Sequence, residues 1–220
     1  MKMRNYAIIL ASGEGSRMGN GFPKQFMDLK GRPVLFHTIE KFSQVKHLEI
    51  ILVLRLVHTT LWNDLCFKYS FSVPHKICIG GNTRPQSVKK GLALCKKGSI
   101  IAIHDGVRPL VSTKLINKIY TLAKTHDAVV PALPCRDSVR LFNSKKNLPL
   151  NRNEVFMIQT PQCFKSETIF EAYNNIQIDD FTDDASIVQK SGVSIFLTEG
   201  EKENIKITFP EDLKIANCLI

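Results

Sequence analysis

Apolar residues along the chain gather in short unbroken runs at residues 6–11, 49–54, 76–79, 99–103, 128–132 and 193–197. Between them, at 33–42, 59–69, 84–96, 112–125, 166–175 and 184–190, apolar positions recur every three or four residues. The first pattern suits strands buried on both faces; the second suits amphipathic helices. Their alternation predicts βαβ units and an α/β fold: a doubly wound, mostly parallel Rossmann-like sheet with helices on both sides. Functional residues in such a sheet collect at the carboxyl ends of the strands. No internal repeat or linker interrupts the sequence, so residues 1–220 are expected to form one domain.

Residues 136–159 break the rhythm. Alternating Val139 and Leu141, then Val155 and Met157, flank a polar, lysine-containing turn at 143–147, with no helix between them. The segment reads as a projecting β-hairpin arm outside the parallel sheet. An arm that leaves its domain is suited to pack on another subunit, so 136–159 is expected to serve dimerisation.

Composition narrows the picture. The six cysteines are widely spaced, with no C-x-x-C pair and no histidine cluster, as reduced thiols are and zinc ligands are not. Residues 1–4 are basic and precede an apolar run, but that run is too short for a signal peptide and soon meets Gly13, Glu14 and Arg17. No stretch approaches the roughly 20 apolar residues of a membrane span. A cytoplasmic protein with no membrane partner is expected. The formal charge is +10, but its lysine pairs at 89–90, 96–97 and 145–146 are short and sit among amphipathic segments, as solvated faces do. The charge favours encounter with a small polyanion. It does not establish nucleic-acid binding, and no aromatic-rich stacking platform accompanies it.

The strongest local signal is Ala11-Ser12-Gly13-Glu14-Gly15-Ser16-Arg17-Met18-Gly19, directly after the first expected strand. Glycines let a turn bring its N–H groups close to phosphate oxygens. The P-loop order is missing, and Met18 stands where a dinucleotide fingerprint needs its third glycine. Arg17 and Lys24 supply cations able to neutralise a triphosphate as its pyrophosphate leaves. Taken alone, a plain glycine turn beside two surface cations explains this segment equally well. Gly80-Gly81-Asn82-Thr83-Arg84-Pro85-Gln86-Ser87 joins an expected strand to a helix and offers donors for a base edge and ribose, or simply forms a helix N-terminus. His104-Asp105-Gly106-Val107-Arg108-Pro109 closes the 99–103 strand, where a carboxylate can hold Mg²⁺ or a substrate hydroxyl. An Asp105–Arg108 ion pair that only shapes the loop is the competing reading. His104, beside a buried strand, reads as a structural imidazole rather than a general base.

These segments, with Pro23-Lys24-Gln25, Arg136-Asp137-Ser138, Thr160-Pro161-Gln162, Thr182-Asp183-Asp184-Ala185-Ser186, Glu199-Gly200, Asn204-Ile205-Lys206 and Pro210-Glu211-Asp212-Leu213, run nearly end to end. In order and spacing they resemble the 2-C-methyl-D-erythritol 4-phosphate cytidylyltransferase family of the non-mevalonate isoprenoid pathway. The resemblance implies a nucleotidyltransferase-type domain that forms a homodimer through a swapped β-arm. It further implies that CTP lies over Ala11, Ser12, Gly13 and Gly15, with its base near Gly80, Gly81, Asn82 and Ser87, and with Arg84 and Gly106 among the nucleotide contacts. Arg17 and Lys24 match transition-state cations. Lys206 and Arg152 match substrate-positioning cations, the latter reaching the partner's site. Asp105, Arg108, Ser138 and Thr160 match positions around the polyol phosphate, and Asp105 is the candidate ligand for Mg²⁺ or another divalent cation.

The implied reaction is in-line attack of the substrate's 4-phosphate on the α-phosphorus of CTP, releasing pyrophosphate and giving 4-diphosphocytidyl-2-C-methyl-D-erythritol. Ser12, Asn82 and Ser138 depart from the residues expected at their positions, and only Asn82 bears on nucleotide specificity. Ribitol-5-phosphate cytidylyltransferase is the nearest alternative. A non-catalytic nucleotide- or RNA-binding protein is a more remote one.

Overall fold

The computed structural model describes residues 4–13, 22–143, 146–175 and 181–220. The chain runs β1 (Asn5–Ala11), β2 (Asp28–Leu29), β3 (Arg32–Pro33), α1 (Val34–Ser43), β4 (Leu48–Leu54), α2 (Thr59–Lys68), β5 (Lys76–Ile79), α3 (Arg84–Leu92) and β6 (Ile100–Asp105). It continues through α4 (Thr113–Leu122), β7 (Ala128–Pro134), β8 (Val139–Asn143), β9 (Lys146–Leu150), β10 (Phe156–Ile158) and β11 (Gln162–Lys165). The last elements are α5 (Ser166–Asn175), α6 (Asp184–Lys190), β12 (Phe196–Glu199) and α7 (Pro210–Leu219).

β5, β4, β1 and β6 lie side by side and parallel. Side chains alternate across a strand, so a continuous apolar run needs a core on each face. β1 shows this directly. Ala7, Ile9 and Ala11 join a core with Phe36, Ile39, Trp62 and Leu115 of α1, α2 and α4, while Tyr6, Ile8 and Leu10 join another with Val88, Ile169 and Ile187 of α3, α5 and α6. A third cluster, made by Leu29, Val34, Val107, Ile207 and Ala216, packs α7 beneath the end of β6.

Beyond β6 the sheet turns mixed. β11 runs antiparallel between β6 and β7, and β12 pairs parallel with β7. Neither β11 nor α7 stands out in the apolar pattern, and β12 begins three residues later than the run at 193–197. The expected arm needs a sharper correction. The free-standing hairpin is β8 with β9, paired from Val139↔Leu150 to Asn143↔Lys146, whereas β10 joins the main sheet antiparallel to β7. A 3-10 turn at Arg152–Glu154 redirects the chain, and Cys135 N–H donates to Val155 O at 2.9 Å, which brings β10 back to the sheet. Met157 therefore lies in a strand of the main sheet rather than in the hairpin's second half, and Val155 closes the turn before it.

Candidate active site

The carboxyl ends of β1, β4, β5 and β6 surround a cavity of about 460 Å³. Ala11, Ser12 and Gly13 form its floor after β1, Asp105 enters from β6, and Lys24 and Lys206 border it from distant parts of the sequence. Gly15 and Arg17 lie outside the described residues.

The floor is held from below by Gln25, whose Nε2 donates to Ala11 O at 2.9 Å and to Gly13 O at 3.3 Å. Gln25 is buried. The turn that carries it, Lys24–Phe26, is anchored by Phe26 edge-on to His58 and tilted over Trp62. Apolar packing thereby fixes where Lys24 sits.

On the β5 side, Gly80, Gly81, Asn82 and Ser87 all line the cavity. Ser87 Oγ receives Gly81 N–H at 3.1 Å and the Ser12 hydroxyl at 3.0 Å, tying this wall to the glycine floor. A side chain at Gly80 or Gly81 would force its neighbours to shift. A Cβ would come within 2.8 Å of Ser87 Oγ at the first and 2.5 Å of Gln86 Cβ at the second. α3 starts here, with Thr83 Oγ1 accepting Gln86 N–H at 3.3 Å and Pro85 in its first turn.

Asp105 is the electrostatic centre. Lys206 Nζ lies 3.0 Å from its Oδ2, and Arg108 Nε donates to the same oxygen at 3.3 Å. Burial alone would raise this carboxyl's pKa, but Lys206, Arg84 and Arg108 outweigh it and hold it below the usual carboxylate range. Asp105 therefore stays ionised. The backbone of Lys206 has no strand ladder; Ile207 N–H donates to Val107 O at 2.9 Å, and Asn204 Nδ2 donates to Thr160 O at 2.8 Å.

Several expected contact residues stand behind the cavity lining rather than on it. Arg108 spends its Nη1 on Asn204 O at 2.8 Å besides its bond to Asp105, so the loop-shaping ion pair is present. Thr160 Oγ1 accepts Asp105 N–H at 3.1 Å and lies 3.1 Å from His104 Nδ1. His104 Nε2 is 3.2 Å from Arg108 O. Burial holds the His104 imidazole down at about 4, so it is neutral, with Nε2–H as donor and Nδ1 as acceptor. This is the structural imidazole expected from its position. Gly106 allows close approach of backbones: a Cβ there would meet Leu10 O at 2.9 Å and Leu35 Cδ1 at 3.0 Å. Ser138 and Arg152 are exposed, with Arg152 Nη1 donating to Arg136 O at 3.1 Å. Neither borders the cavity of its own chain.

Sequence reasoning missed Arg55, Leu56 and Val57, which line the cavity after β4. Arg55 follows the 49–54 run directly, so its place at a strand's carboxyl end was the available signal. Gln25 and Asp184 lay within noted motifs without an assigned role.

A parallel sheet flanked on both faces, with glycine-bearing turns and converging cations at its strand ends, is a nucleotidyltransferase-like α/β fold. A model of the family described as IspD: 2-C-methyl-D-erythritol 4-phosphate cytidylyltransferase matches residues 5–220, and the chain belongs to that family. The protein of that name in Azobacteroides pseudotrichonymphae is 45% identical over 219 residues, covering 99% of both chains. Its counterpart in Bacteroides thetaiotaomicron is 43% identical over 219 residues, covering 99% of this chain and 100% of the relative. The crystal structure of 4-diphosphocytidyl-2C-methyl-D-erythritol synthase from Anaerococcus prevotii superimposes with a TM-score of 0.85 at 30% identity, covering 98% of this chain and 95% of that one.

Proposed function

We propose that the cavity binds CTP and transfers its cytidylyl group to 2-C-methyl-D-erythritol 4-phosphate, giving 4-diphosphocytidyl-2-C-methyl-D-erythritol and pyrophosphate. The observation that carries this reading is the convergence of Lys24, Arg84, Asp105 and Lys206 on one cavity floored by the Ala11–Ser12–Gly13 backbone. The family match and the relatives' names favour the methylerythritol substrate over ribitol 5-phosphate.

A phosphate nucleophile is already anionic near neutral pH, so little proton transfer is needed. Catalysis then consists of aligning two anions and neutralising charge. Lys24, with Arg17, stabilises charge moving toward pyrophosphate. Lys206 holds the polyol phosphate while Asp105 receives its hydroxyls. Arg108, Thr160 and Gly106 act from behind, by fixing the loop that carries Asp105.

Asp105 is the carboxylate on the cavity lining among the described residues. Its Oδ2 is engaged by Lys206 and Arg108, and Oδ1 is the second oxygen of the same ionised carboxylate. Asp105 is the lining residue that would hold a divalent cation such as Mg²⁺ there, together with oxygens of the substrates or water. When bound, that cation neutralises phosphate charge.

The exposed apolar residues of the hairpin and β10, including Phe142 and Met157, support homodimerisation. The same reading puts Arg152 in the partner's site, since it is absent from the lining of the candidate cavity in its own chain. No helix among the described residues is long and apolar enough to cross a membrane. We take the enzyme to be cytoplasmic, acting on small phosphorylated substrates and no nucleic acid. Incubation with CTP and either 2-C-methyl-D-erythritol 4-phosphate or ribitol 5-phosphate, followed by mass spectrometry, tests the assignment. Product from the first is expected; product from the second alone would replace the substrate.

A further inference from the structure

Arg84 opens α3 and borders the nucleotide cavity, yet its guanidinium is gripped from behind. Nη1 donates to Asp184 Oδ1 at 3.0 Å and Nη2 to Asp184 Oδ2 at 2.6 Å, a two-point fork that fixes the plane of the group. The Asp184 side chain is wholly buried, whereas that of Arg84 is 25% exposed. Asp184 is itself pinned. Tyr173 Oη donates to its Oδ1 at 2.5 Å, and Gln162 Oε1 accepts the backbone N–H groups of Asp184 and Ala185 at 3.1 and 2.8 Å. Tyr173 reaches it from α5, packed in the core with Ile169 and Ile187.

A buried ion pair is a costly way to gain stability, and apolar residues often serve as well. This one has a functional address. The fork engages the Nη1–Nη2 edge of the guanidinium, which has five N–H donors in all, and the same side chain lines the cavity. The Arg84 charge also reaches Asp105, helping to keep that carboxyl ionised. Burial, then the neighbouring Asp184 carboxylate, raises the Tyr173 pKa, so the phenol keeps the proton it donates.

Resting on the CTP reading, we infer that Tyr173 and Asp184 are positioning residues for nucleotide binding, acting through Arg84 from outside the cavity. Neither lines the cavity, and both set where a cation that does line it can point.

The test is a double-mutant cycle read by calorimetric titration of CTP into the full-length protein, with thermal unfolding measured in parallel. Tyr173→Phe is expected to weaken CTP binding by about three- to tenfold, the consequence of losing one hydrogen bond to a charged group that orients another. In an Arg84→Gln background the same change is expected to have no further effect on CTP affinity, because the group it orients is gone. Asp184→Asn should follow the same pattern; should it not fold, Tyr173→Phe decides the matter. Wild-type affinity in Tyr173→Phe, or an equal loss in both backgrounds, overturns the inference and leaves the pair a purely structural contact. Wild-type protein that binds CTP but makes no cytidylyl product would sink the proposed reaction while leaving this inference standing. Wild-type protein that binds no CTP would end both.

Discussion

Lys206 Nζ and Asp105 Oδ2 lie 3.0 Å apart although they are separated by most of the second half of the chain. Arg108 joins them at one end and Asn204 at the other, so the pair is fixed by its neighbours' backbone rather than by its own attraction. The Lys206 side chain is partly exposed while Asp105 is buried, so much of the pair's attraction goes to offset desolvation of the carboxylate. Its value lies in holding a cation beside a carboxylate at the rim of an anion-binding cavity.

Lys206→Met is therefore expected to leave the fold intact while lowering kcat/KM for the polyol phosphate by about two to three orders of magnitude. Lys206→Arg should recover little, since a planar fork replaces a compact ammonium. Pyrophosphate release by purified variants measures this, and unaltered turnover would remove Lys206 from the mechanism.

The proposed contribution of Arg152 in trans predicts complementation. Arg152→Ala and Lys24→Ala proteins should each be nearly inactive. Mixed and allowed to exchange subunits, they should recover about a quarter of wild-type activity, because half the dimers are hybrids with one complete site. No recovery from subunits shown to exchange would place Arg152 in its own chain's chemistry, or outside the reaction.

His104 makes the fold sensitive to mild acid. Its folded pKa of about 4 lies below the ordinary 6.5, so the unfolded chain takes up the proton first as pH falls. The stability is fully present above pH 6.5 and lost progressively toward pH 4, up to about 3 kcal/mol. Asp105 does not titrate in this window, because its depressed pKa puts the corresponding loss below the ordinary carboxylate value. Melting temperature should fall between these limits in the wild type and vary less in His104→Gln. Parallel slopes for the two proteins would show that another group is responsible.

Gly80→Ala would place a methyl 2.8 Å from Ser87 Oγ and 3.0 Å from Ser12 Cβ. Both serines have to move, and the hydroxyl pair between the β5 wall and the glycine floor breaks. We expect KM for CTP to rise about tenfold with a change of less than about 1 kcal/mol in stability. A variant with wild-type KM would mean that this contact plays no part in nucleotide binding.

The parallel half of the fold was legible in the sequence because burial on both faces writes a continuous apolar run, as in β1 and β4. β11 was not, since only Cys163 and Phe164 are apolar between Gln162 and Lys165 in a short strand whose place between β6 and β7 depends on the fold around it. The hairpin went astray for a related reason. Alternation in Val155 and Met157 marks extended chain but not which sheet it pairs with. At the site, residues that touch the cavity stood out by type and motif: Ser12, Lys24, Asp105 and Lys206. Residues that work from behind did not, because Asp184 and Tyr173 owe their importance to a chain of hydrogen bonds that ends on Arg84, far away in sequence. The reverse also held. Arg108 and Thr160, expected to meet substrate, turn out to brace the Asp105 loop.

The stretch from Thr160 to Gln162 holds Asp105 N–H with one residue and the Asp184 turn with another. It acts as a short rivet between the two walls that carry the cavity's carboxylate and its Arg84 cation. Losing either bond would untie one wall from the other. Leu56 and Val57 line the cavity and are exposed, so bulky substitutions there should slow entry and exit of reactants without disturbing the charges inside.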